Sequence, residues 1–91
     1  MWWFILGAIL VAGAVAITVS VIIDKVKEYM RKKYATKYLG EKIKAMIENK
    51  EYNEVDIGLY DEYGSKIDEL TIEGDSVSDD IREGQVITIQ L

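Results

Sequence analysis

The sequence predicts a single-pass membrane protein. An N-terminal transmembrane α-helix continues into a basic helical stalk, and a small α+β domain with a three-stranded antiparallel sheet follows. Three observations predict this. Residues 1–23 carry no charged side chain. Asp24 to Lys44 holds eight Lys and Arg against three acids, a net of +5. After Lys50 the apolar residues fall at every second position, as on a half-buried strand.

The run from Trp2 to Ile23 is 22 residues long. As a helix it would extend about 33 Å, enough for a hydrocarbon core of roughly 30 Å. A cleaved signal peptide is a poorer fit, because the chain starts Met-Trp-Trp-Phe with no basic residue. Its one small-x-small sequence, Ala14-Val15-Ala16, lies inside the apolar run rather than after it. The charge asymmetry would place the N-terminus outside and the C-terminus in the cytoplasm. Trp2 and Trp3 would then sit at the outer interface and Tyr29 just beyond the inner one.

Residues 24–39 lack Gly and Pro and place Val26, Met30, Tyr34 and Tyr38 four apart, which predicts a helix stopped by Gly40. Ile43, Met46 and Ile47 then have the i, i+3, i+4 spacing of a second, short helix over 41–49. From there the expectation is strands. Val55, Ile57 and Leu59 mark the first, the turn Asp61-Glu62-Tyr63-Gly64 follows, and Ser65 to Ile72 returns as the second. Ile67 is out of phase with Leu70 and Ile72, so a bulge is expected near Asp68. Ser78 or Asp79 would cap a short helical turn through Arg82, anchored by Ile81, before a third strand from Gln85 to Leu91. The expected organisation is therefore a transmembrane helix over 1–23, a basic juxtamembrane helix over 24–39 and an acidic cytoplasmic α+β domain over 40–91.

Composition narrows the chemistry. The 91 residues have a net charge of −5 and include no Cys, His or Pro. Disulfides, thiolate nucleophiles, Cys/His zinc sites, histidine acid–base catalysis and Ser-His-Asp triads are all excluded. The seven Gly are scattered rather than gathered into a phosphate loop. Carboxylate pairs such as Asp61/Glu62 and Asp79/Asp80 are adjacent in sequence and point apart in an extended chain. The expectation is no enzymatic activity, no catalytic residue, no cofactor, no metal and no small-molecule substrate.

Three surfaces are candidates for recognition. Ala8, Ala12, Ala16 and Ser20 recur at an interval of four with Gly13 beside them, which on a membrane helix would form a close-packing face. Lys25, Lys27, Arg31, Lys32 and Lys33 would meet anionic lipid headgroups. From Ala45 onward three basic residues face 13 acids, and Asp75, Asp79, Asp80 and Glu83 are a candidate acidic docking or cation site without the ligand pattern of an EF-hand. Nucleic acid is not an expected partner of so acidic a domain.

The expected partners are thus the bilayer and either further copies of the chain or another membrane protein. The reading that follows is a non-enzymatic membrane protein whose span packs through its small residues and whose acidic domain docks or positions a protein partner. Two alternatives use the same features: a membrane-perturbing effector of the small-toxin or holin kind, and an accessory subunit of a larger membrane complex.

Overall fold

The structure is a computed structural model that describes residues 8–91. Its elements in chain order are β1 (Ala8–Val11), β2 (Ala16–Ile17), α1 (Val19–Tyr34), β3 (Lys42–Lys50), β4 (Glu54–Tyr60), β5 (Lys66–Glu73), β6 (Ser76–Val77) and β7 (Val86–Gln90). Five strands form one mixed sheet in the order β1-β5-β4-β3-β7. Only β1, parallel to β5, departs from antiparallel pairing in it. β2 and β6 make a separate parallel pair.

Each strand of the sheet sends alternate side chains to α1. Ile43, Ala45 and Ile47 on β3, Val55, Ile57 and Leu59 on β4, and Ile87 and Ile89 on β7 are buried in one cluster with Leu70 and Ile72 of β5. The helix answers with Ile22, Val26, Tyr29 and Met30, an i, i+4, i+7, i+8 stripe. Thr18 starts the helix by accepting the Val21 N–H at 3.1 Å. Arg31, Lys32 and Lys33 fill its last turn, where the helix dipole favours cations.

This architecture overturns the expected membrane span. Among the described residues no helix is long and apolar enough to cross a membrane. The described part of the apolar run, from Ala8 on, is divided among β1, β2 and the start of α1. Around the breaks between these elements, its backbone groups pair with β5 and with the residues flanking β6 rather than along one continuous helix. The Ala12 N–H donates to Glu73 O at 2.7 Å, while Val15 O and Ile17 O each accept at 2.9 Å from Asp75 and Ser78. Gly13, at φ +88°, sits in the break between β1 and β2. The inside–outside orientation and the single-pass description fall with the span that carried them. The anchoring expected of Trp2 and Trp3 lies outside the described residues.

Two further elements differ from expectation. The stalk helix ends at Tyr34 instead of running to 39, with Ala35 at φ 51° and a turn leading to Gly40. Residues expected to form a helix over 41–49 are β3, which pairs antiparallel with β4 on one side and β7 on the other. The sheet consequently has five strands rather than three. Residues 79–80 make a turn and no helix, although Ile81 is fully buried as expected. The β4–β5 hairpin does form, with Gly64 at φ +88° and the register shifting between Leu59 and Tyr60, opposite Asp68 and Lys66.

Candidate functional site

One face of the sheet carries α1, and the other is open among the described residues. On that open face β1 presents Ile9 and Val11, which are 62% and 65% exposed. Among the described residues β1 is an edge strand. Because the Ala12 N–H is spent on Glu73 O, the alternation of a β-ladder turns the N–H and C=O groups of Ile9 and Val11 outward. Natural edge strands are usually blunted by a charge, a proline or a bulge. Residues 8–17 carry no charged side chain and no proline.

Behind this edge the open face is acidic. The register places Ile9 beside Thr71 and Val11 beside Glu73 on β5. One strand further, Thr71 meets Asp56 and Glu73 meets Glu54 on β4. The Thr71 hydroxyl donates to Asp56 Oδ1 at 2.7 Å. Asn49 Nδ2 reaches Asp56 Oδ2 at 3.4 Å and Glu51 Oε2 at 3.1 Å. Partial burial pushes the Glu54 carboxyl above its ordinary value, and the neighbouring charges of Asp56, Glu73 and Glu51 add to the shift. No Lys or Arg among the described residues forms an ion pair with any of these four carboxylates. Elsewhere on the sheet Lys66 neutralises Glu48 at 3.0 Å and Glu69 at 3.2 Å. The acids behind β1 are therefore crowded and uncompensated.

A second polar cluster lies on the helix side. Asp68, whose side chain is 9% exposed, accepts three donors on Oδ2: Tyr34 Oη at 2.7 Å, Tyr29 Oη at 2.8 Å and Lys33 Nζ at 3.0 Å. Its other oxygen accepts the Glu69 N–H at 2.7 Å. Burial works against the Asp68 charge, but the hydrogen bonds from Tyr34, Lys33 and Tyr29 outweigh it and hold the carboxyl below its ordinary value. Burial and the adjacent carboxylate push Tyr34 up to about 12 and also raise Tyr29. The bond to Asp68 raises Lys33. With three donors on one oxygen, the cluster is saturated internally. It ties α1 to β5 and offers no free group to a substrate.

The residues singled out in the sequence fall as follows. Ala8 lies in β1 opposite Leu70, Ala12 just past that strand, Gly13 in the break, Ala16 in β2 and Ser20 at the start of α1. Their interval of four marks no common stripe, because only Ser20 is in a helix. Lys25 pairs with Glu28 at 3.8 Å and Lys33 with Asp68, while Arg31 and Lys32 are exposed and Lys27 is half-buried. Glu83 Oε2 accepts the Lys50 N–H at 3.0 Å, and Asp80 accepts the Ser78 hydroxyl. Asp75 and Asp79 are exposed, and among the described residues no group of acids is arranged to hold a metal ion.

The open face also holds a shallow depression of about 160 Å³ lined by Lys44, Met46, Tyr60, Gly64 and Val86. Small-molecule sites are typically about 300–1,000 Å³. The feature that sequence reasoning missed is the β1 edge. Its signal was present in Ile9 and Val11, two β-branched residues at alternate positions shortly before Gly13. Comparison with protein-family models, with curated proteins and with solved structures finds no significant match to this chain.

Proposed function

We propose that this chain is a non-enzymatic protein-binding module that takes up an extended segment of a partner protein along the outer edge of β1. The observation that carries the reading is the pairing of exposed Ile9 and Val11 side chains with outward N–H and C=O groups on an edge strand without charge. Strand addition to such an edge draws affinity from main-chain hydrogen bonds and specificity from alternate side chains. The absence of His and Cys, the internally saturated Asp68 cluster and the small depression on the open face weigh against catalysis.

Amide hydrogen exchange tests the proposal. An added strand-forming peptide should slow exchange at the amides of Ile9 and Val11 and leave that of Tyr63, at the far hairpin tip, unchanged. Val11→Pro deletes an outward donor without touching the bonds from β1 to β5, so it should abolish the protection. Equal exchange with and without peptide, across a panel of strand-forming sequences, would refute strand uptake.

A further inference from the structure

We infer that the strand taken up by β1 alternates apolar with basic residues, and that its Lys or Arg side chains cross Val11 toward Glu73 and the Glu54–Asp56 pair behind it. This rests on strand uptake at β1 as proposed above and adds the chemistry of the partner.

Adjacent strands lie about 4.8 Å apart, so a strand outside β1 would run about 10 Å from β5. Every second side chain of that strand would join the open face, in line with Ile9 and Val11. Lys and Arg have apolar stems that can lie over Ile9 and Val11 while their charged ends reach onward to Glu73. Glu73 sits directly beside Val11, with Glu54 across from Glu73 and Asp56 across from Thr71. Asp56 has Asn49 and Thr71 as hydrogen-bond donors, and none of the three carboxylates pairs with a Lys or Arg among the described residues. A basic side chain at this place supplies the missing counter-charge, and an acidic one adds to the crowding already felt by Glu54.

A second copy of the chain is a poorer occupant. Neither edge strand of the sheet, β1 or β7, contains a basic residue. Antiparallel pairing of two β1 strands about a two-fold axis would also put both carboxylate sets on the same face of the joined sheet.

The test uses the full chain and three short fluorescent peptides in which valine alternates with lysine, glutamine or glutamate, with binding read by anisotropy at low and high salt. The lysine peptide should bind about tenfold more tightly than the glutamine peptide, the sum of two or three exposed ion pairs. Salt should shrink that preference. Glu54→Gln combined with Glu73→Gln should erase it while leaving affinity for the glutamine peptide unchanged and the circular dichroism spectrum intact. Equal binding of the lysine and glutamine peptides, or a preference for glutamate, overturns the inference and leaves strand uptake standing. If no peptide binds and the Ile9 and Val11 amides stay unprotected, both fall. A wild-type dimer in sedimentation that Val11→Pro dissociates would identify a second copy as the occupant and overturn the basic partner.

Discussion

The Tyr34 hydroxyl donates to Asp68 Oδ2 at 2.7 Å, joining the last turn of α1 to the bulged start of β5. Tyr29, one turn earlier, donates to the same oxygen at 2.8 Å. A helix packed on a sheet through aliphatic side chains alone can slide, because hydrophobic contact has no preferred direction. Two phenols and an ammonium converging on one carboxylate fix its position. Asp68→Ala leaves the two part-buried phenols without that acceptor and should cost about 1–3 kcal/mol. Tyr34→Phe removes one donor of three and should cost about 0.5–1.5 kcal/mol. Urea unfolding measures both, and an Asp68→Ala variant as stable as wild type would mean the cluster is not a clamp.

The same cluster sets a pH dependence with two limbs. The Asp68 carboxyl titrates lower in the folded state than its ordinary value near 3.9. Its contribution is therefore complete above that value and is lost as pH falls through the lowered pKa. Tyr34 behaves in the opposite sense, being raised to about 12 from an ordinary value of about 10. Its contribution is complete below pH of about 10 and is lost as pH rises toward about 12. Stability measured against pH should show both declines. Asp68→Asn should flatten the acid limb, and Tyr34→Phe should weaken the alkaline one.

Glu54 supplies a contrast in sign. Its carboxyl is raised by partial burial and by Asp56, Glu73 and Glu51, so the fold disfavours its charge at neutral pH. That penalty is present above the raised pKa and vanishes as pH falls below the ordinary carboxylate value. Glu54→Gln should accordingly raise the urea midpoint at neutral pH and lose that advantage in acid. A lower midpoint at neutral pH would show that the carboxylate makes a favourable contact in the fold.

How much of this was legible in the sequence depended on how local the deciding contacts are. The β4–β5 hairpin could be read because Val55, Ile57 and Leu59 alternate and Gly64 marks the turn, all within one short stretch. β3 could not. Ile43, Met46 and Ile47 fit a helix, whereas the true buried set is Ile43, Ala45 and Ile47, and a lone alanine is a faint apolar signal. What decides for strand is pairing on both sides, with β4 and with β7. β1 was more hidden still, since Ala8 pairs with Leu70, far along the chain. An unbroken apolar run fits a membrane helix as well as two short strands and a helix start, and only those distant partners separate the readings. The out-of-phase Ile67 announced the bulge at Asp68, yet nothing local showed that Tyr29 and Tyr34 converge there.

Gly74 makes the turn from β5 to β6 possible. A Cβ at this position would lie 2.8 Å from Val15 O and 2.9 Å from Ile17 Cγ1. The first of these is backbone in the segment that hydrogen-bonds Asp75, so it cannot yield without loosening the β2–β6 pair. Gly74→Ala should cost about 1–3 kcal/mol through overpacking. Gly64→Ala has open space around its Cβ and would lose only through its φ of +88°, which makes it the control for backbone strain alone. Thermal unfolding measures both, and a Gly74→Ala variant as stable as wild type would show that close approach to Val15 is not what requires Gly74.

The alternation along β1 makes the sharpest distinction between a strand and a helix for the opening apolar run. Ile9 and Val11 share the exposed face, while Leu10 between them is half-buried against the core. On a helix Ile9 and Val11 would lie about 200° apart around the axis and could not share one exposed face. Truncating Leu10 to Ala removes packed methyl groups and should cost about 1–2 kcal/mol, below the range for fully buried leucines. Ile9→Ala and Val11→Ala should stay within about 0.5 kcal/mol of wild type, as surface changes do. The three variants are read side by side by urea denaturation of the full chain. If Ile9 or Val11 proves costlier than Leu10, the register of β1 on β5 is wrong by one residue, and the outward edge assigned to Ile9 and Val11 goes with it.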